Sequence, residues 1–149
     1  MAKVNPRKKS KITPERYAKI LDKTNLVDVY LESCSVSFKK ELFSLRKSME
    51  VTIRQKASFI QRENKAHVTH KFYLTGKGQE KTDDNVLKIS VAFCLTYTTQ
   101  EASFDNDFFE VFKKLVLPVN SWPYFREFVQ SMTQRMNIPP LTLPLIKTA

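Results

Sequence analysis

Glycine is nearly absent: the 149 residues contain two, Gly76 and Gly78, separated by one lysine. No other place in the chain can host a glycine-rich phosphate cradle, so Gly-x-Gly-x-x-Gly and P-loop chemistry are excluded. Cysteine is as scarce. Cys34 and Cys94 are far apart, each lies inside a strand-like run, and neither has Cys-x-x-Cys spacing, so both read as buried, reduced thiols. The two histidines, His67 and His70, have no cysteine or carboxylate at a recognised metal-ligand spacing, and their separation puts them on opposite faces of a strand. Asp83-Asp84 and Asp105/Asp107 read as turn and cap residues and not as a catalytic pair. No apolar run approaches the ~18 residues of a membrane span. The first residues also lack the apolar segment of a secretory signal. Expected from these absences is a cytoplasmic non-enzyme with no metal and no cofactor.

What is present is phenylalanine, 11 of 149 residues, and positive charge, 25 Lys and Arg against 15 Asp and Glu. The chain is long enough to bury a core without disulfides or metal, so one domain is expected. The net charge of +10 is concentrated at the start, where residues 1–25 hold eight basic side chains and two acidic ones. Lys3, Arg7, Lys8, Lys9 and Lys11 form an arm with no opposing acid. Residues 1–12 are therefore expected to be a flexible basic arm, and residues 13–149 the domain. The arm reads either as a solvated tail or as a contact for nucleic acid, ribosome or anionic lipid.

Along the chain, Thr13-Pro14-Glu15 starts a helix: an N-cap, a proline at the first helical position and an acid in the first turn. Leu26 to Phe38 alternates as a strand, with a change of phase near Ser33 that predicts a bulge. Residues 39–48 read as a linker that is basic yet carries Leu42, Phe43 and Leu45. Further strands are expected over Met49–Gln61, His67–Thr75 and Leu87–Tyr97, with a turn from Gly76 to Asn85. Ser103–Leu115 reads as a helix with Asp105 and Asp107 in its first turn and Lys113 and Lys114 in its last, suiting the helix dipole. Pro118 is expected to break the chain before the next element. Helix, four strands and two helices make an α+β domain: an antiparallel four-stranded sheet with its helices on one side.

The last quarter is the most informative. Asn120 or Ser121 can cap a helix with Pro123 in its first turn, and Trp122, Phe125, Phe128, Val129, Met132 and Met136 then follow at helical spacing. Asn137 suits the C-cap, and Pro139-Pro140 forbids continuation. Leu141, Leu143 and Leu145 then line one side of an extended strip. This helix followed by Pro-Pro-Leu-x-Leu resembles the end of the SecB protein-export chaperones, particularly their short SecB-like relatives. Trp122-Pro123-Tyr124-Phe125-Arg126-Glu127 and Pro139-Pro140-Leu141 are the most specific parts, and the order of elements follows the family over about Thr13 to Lys147.

The resemblance implies an oligomer, a dimer or a dimer of dimers, that keeps unfolded clients from folding or aggregating without ATP. It implies subunit contacts from the first strand and the last helix, for which Tyr30, Trp122, Phe125, Phe128 and Met132 are the candidates. It also implies a client groove, with Leu42, Phe43, Leu45, Val51, Ile53, Leu141, Leu143 and Leu145 as candidates. Val51 and Ile53 read as core before groove, the three strip leucines equally as a clamp over the sheet, and Phe125, Phe128 and Met132 as packing or oligomer contacts before client contacts. Export members are acidic and continue past the proline strip into a segment that engages the SecA motor. This chain is basic and ends at Ala149, so SecA engagement stays open, and a dedicated client such as a toxin–antitoxin partner fits as well as export. From a different class, the basic arm alone suggests a nucleic-acid- or ribosome-binding module.

Overall fold

The computed structural model describes residues 11–43, 49–78, 85–100 and 103–144. Most of the proposed basic arm, together with Leu45 and Leu145, lies outside the described residues. The elements run α1 (Pro14–Asp22), β1 (Asn25–Phe38), a single 3-10 turn (Lys40–Leu42), β2 (Glu50–Arg62), β3 (Lys65–Lys77), β4 (Asn85–Thr98), α2 (Asn106–Leu115) and α3 (Leu117–Arg135). Thr13 caps α1 by accepting from the Arg16 amide, with Pro14 at the first helical position. All four strands pair antiparallel in the order β1-β4-β3-β2. The first two strands therefore form opposite edges, and the connection between them crosses one end of the sheet. Register shifts at Leu26/Asp28 and Leu31/Ser33 are the bulges that move the β1 alternation out of phase.

One face of the sheet is buried. It presents Val68, His70, Phe72 and Leu74 from β3, and Leu87, Ile89, Val91, Phe93, Leu95 and Tyr97 from β4. The aromatic surplus closes over this face. Phe125 of α3 stacks on Phe72 at 4.3 Å and 6°, while Phe104, Phe108 and Phe112 interlock with each other and with Tyr97. Each fully buried ring removes apolar area worth about 1.5–3 kcal/mol.

Three boundaries differ from the sequence reading. The last helix begins at Leu117, so Pro118 lies in its first turn, where the missing N–H costs nothing, and initiates the helix where a break was expected. Pro123 is consequently inside the helix, and Ser121 is a buried mid-helix residue whose hydroxyl reaches the Leu117 carbonyl. Asp105 is the N-cap of α2, accepting from the Phe108 amide, so that helix starts after it and not at Ser103. At the far end Met136 is the half-in cap, and Asn137, expected there, follows in the left-handed region at φ 57°. Cys34, read as buried, is exposed on the outer strand; Cys94 is buried.

Candidate functional site

The proline strip is docked along α3. Trp122, Arg126 and Thr133 recur at spacings that place them on one side of the helix. The Thr133 hydroxyl accepts from the Leu141 amide (2.9 Å), Arg126 Nε donates to the Leu143 carbonyl (2.7 Å), and Trp122 Nε1 donates to the Pro144 carbonyl (2.8 Å). The strip therefore runs back antiparallel to the helix that precedes it. Leu143 sinks into the core at 4% exposure, Leu141 is half-buried, and Thr142 and Pro144 face outward, the alternation of an extended chain. In this state Leu143, a candidate groove residue, is a core residue.

The remaining groove candidates gather at one end of the helix-covered face. Register forms a row Phe38–Leu87–Gly76–Val51 across all four strands, followed by Val36–Ile89–Leu74–Ile53. Leu87, Leu74 and Ile89 are fully buried, whereas Phe38, Val51, Ile53 and Val36 on the two edge strands are only partly covered. Gly76 marks a close approach: a Cβ there would meet Met49 Sδ at 2.4 Å. The crossing connection brings Leu42 and Phe43 to this end, both half-buried, with Phe43 edge-on to Phe38 at 5.8 Å. Met49, Met132, Met136 and Leu141 are also partly buried against the core. Among the described residues the result is an apolar corner that is only partly covered, built from long, adaptable side chains.

Of the interface candidates, Tyr30 is 49% exposed on β1, and Trp122 and Met132 are half-buried. Phe125 and Phe128 are not at the surface. They are 0% and 9% exposed, because the face of α3 that carries them packs on its own sheet. Exposed apolar residues not named as interface candidates from the sequence include Leu26, Val27 and Leu31 on β1 and Tyr124 on α3. The Tyr124 ring lies 6.1 Å from Phe93, the cross-strand partner of Leu31, so the apolar edge continues from β1 onto the helix. The signal was present: Leu26, Val27, Val29, Tyr30 and Leu31 put apolar side chains on both faces of one strand.

His70 is a buried histidine on the helix-covered face. Burial lowers its pKa to about 4, so the ring is neutral near pH 7. Nε2 lies 2.8 Å from Gln55 Oε1 and Nδ1 lies 2.6 Å from the Ser121 hydroxyl, so both ring nitrogens have a polar partner. The ring ties β2, β3 and α3 together. It floors an open groove of about 610 Å³ whose other walls include Ala57, Lys113, Lys114 and Pro118. That groove has neither carboxylate nor thiol, so no nucleophile–base pair is assembled in it. Among the described residues no three His, Cys, Asp or Glu come together in a way that would hold a metal ion. No helix among them is long and apolar enough to cross a membrane.

No protein-family model and no curated protein sequence matches the chain. Solved structures do. A SecB-like chaperone from Mycobacterium tuberculosis, in complex with a ChAD peptide from an antitoxin, superposes with a TM-score of 0.76. It covers 89% of this chain and 97% of its own, at 15% sequence identity. The fold is SecB-like. A protein of unknown function from Streptococcus agalactiae superposes more loosely, with a TM-score of 0.42 at 14% identity over 82% of this chain and 97% of that one. Within the SecB-like fold of this chain, the tail clamp, the apolar corner and the apolar β1 edge are three separate features of one domain.

Proposed function

We propose that this SecB-like chain is an ATP-independent holdase, a homo-oligomeric chaperone that binds extended segments of unfolded clients. The observation that carries the reading is the open apolar corner, where partly covered Phe38, Val51 and Ile53 lie beside a crossing connection bearing Leu42 and Phe43. Such a surface tolerates many client sequences, because Phe, Met and Leu side chains repack where a polar pocket would discriminate. Burying one client Leu or Phe contributes about 1.5–3 kcal/mol, so three contacts give roughly 5–9 kcal/mol before the client is ordered. One corner holds a client weakly. Several corners on one oligomer hold it well, through effective concentration.

Leu141 and Leu143 join the groove when the strip lifts from α3, and Leu45 and Leu145, outside the described residues, remain candidates for it. The apolar β1 edge with Tyr30, Tyr124 and part of Trp122 supplies the subunit contact, giving a dimer or a dimer of dimers. The favoured client is a dedicated one, such as an antitoxin, and the peptide held by the similar mycobacterial chaperone supports that choice. A general role in cytoplasmic protein export is the broader form of the same activity. The test is light scattering of a reduced, denatured protein diluted into equimolar oligomer. Suppressed aggregation that is lost in Leu42→Ser/Phe43→Ser supports the reading. Unchanged aggregation with the wild-type protein would sink it.

A further inference from the structure

Among the described residues no element covers the face of the sheet opposite the helices, and its charge is lopsided. By register it presents Arg54 and Lys56 from β2, Lys71 and Tyr73 from β3, and Lys88 from β4, all exposed. Lys56 lies directly across from Lys71. Like charges in that position destabilise a sheet, so the pairing does nothing for the fold. None of these four cations makes an ion pair among the described residues. The nearby acids, Asp28, Glu32 and Glu50, all lie on the two edge strands.

An open trough of about 260 Å³ lies in the middle of this face. Its floor includes the small residues Ser90 and Ala92 of β4. Ser33 and Ser35 flank it on one side, and Lys71 and Tyr73 on the other. No acidic side chain lines it. Tyr73 is 38% exposed at its wall. Cations with no ion-pair partner among the described residues, an exposed aromatic residue and hydroxyls around a shallow trough form a combination suited to single-stranded nucleic acid. Phosphates meet the cations, and a base stacks on the ring. An acidic polypeptide would use the cations but leave the ring and the trough idle.

We infer that the uncovered face of the sheet binds single-stranded nucleic acid along the β4 trough, with Lys71 and Lys88 on phosphates and Tyr73 as a stacking platform. This site lies on the opposite face of the sheet from the apolar corner. The experiment is fluorescence anisotropy of labelled 15-nucleotide oligouridylate and oligothymidylate with the full-length protein at several salt concentrations. Lys71→Gln/Lys88→Gln is expected to lower the salt slope by about 1.4, the release of two single-strand phosphate contacts. Tyr73→Ala is expected to weaken binding by about tenfold, and Tyr73→Phe to retain it. Full-length protein with Lys3, Arg7, Lys8 and Lys9 all changed to Gln is expected to keep the Tyr73 effect. Circular dichroism establishes that each variant is folded. Binding lost only in the arm variant, absence of binding by either oligonucleotide, or polyglutamate competing as well as oligouridylate would each overturn the assignment.

Discussion

Trp122 donates from its indole nitrogen to the Pro144 carbonyl at 2.8 Å, so the single tryptophan of the chain reports directly on whether the proline strip is docked. Leu143 is the strip's buried anchor, and Leu→Ala at a buried site costs about 2–5 kcal/mol. Such a loss is as large as the roughly 3 kcal/mol that three hydrogen bonds at about 1 kcal/mol each contribute together. Leu143→Ala is therefore expected to release the strip while the sheet stays folded. The emission of Trp122 should shift to longer wavelength and residues 141–144 should become protease-sensitive. Unchanged emission would mean that the indole is held by its contacts with Phe72 and Phe125 alone.

His70 makes the fold acid-sensitive. Its folded pKa is near 4 and its ordinary value 6.5, because burial disfavours the charged ring. The unfolded chain therefore takes up a proton that the folded chain refuses. The stabilisation is complete above about pH 6.5 and is lost as pH falls towards 4, amounting to about 3 kcal/mol across that window. His70→Gln should flatten the dependence of unfolding free energy on pH between 6.5 and 4, measured by urea titration. A slope equal to that of the wild type would place the acid sensitivity elsewhere.

The β1 edge is expected to be the subunit contact. Leu26, Val27, Tyr30 and Leu31 stand 39–55% exposed on a 14-residue strand whose outer backbone edge pairs with no other strand among the described residues. Long, apolar edges of this kind recruit a partner. Leu26→Lys/Leu31→Lys should dissociate the oligomer to monomer in light scattering on size exclusion, with unaltered far-ultraviolet circular dichroism. A Phe128→Ala variant should instead lose stability by about 3–5 kcal/mol, since that ring belongs to the core.

Gly76 is required by the position of Met49. A methyl group there would approach Sδ to 2.4 Å and Cγ to 3.1 Å, so the whole methionine side chain must move. Gly76→Ala is expected to cost about 1–3 kcal/mol through overpacking. Adding Met49→Ala should recover most of that loss, a coupling that thermal unfolding of the four-member cycle measures.

The class of fold, the order of elements and the bulge near Ser33 were legible because β-period and helical-period patterns are local. The start of α3 was not. Pro118 and Pro123 both fit a first turn, and the choice between them depends on Ser121 being buried against His70, a contact across 51 positions of sequence. The fate of Phe125 and Phe128 was hidden for a related reason. An amphipathic helix declares an apolar face but not whether its own sheet or a second copy covers it. The cationic sheet face was hidden too, since Lys56 and Lys71 become neighbours only through the β2–β3 register.

The strand order β1-β4-β3-β2 also sets a timetable for synthesis. Each β1 residue pairs with one roughly 50 to 70 positions later in the chain, so β1 waits for the fourth strand to emerge. At translation speeds of about 5–20 residues per second, that delay is roughly 2–15 s. For those seconds Leu26, Val27, Tyr30 and Leu31 belong to an incomplete nascent chain. Under the holdase function proposed above, copies already folded would be the first shelter such a nascent chain meets.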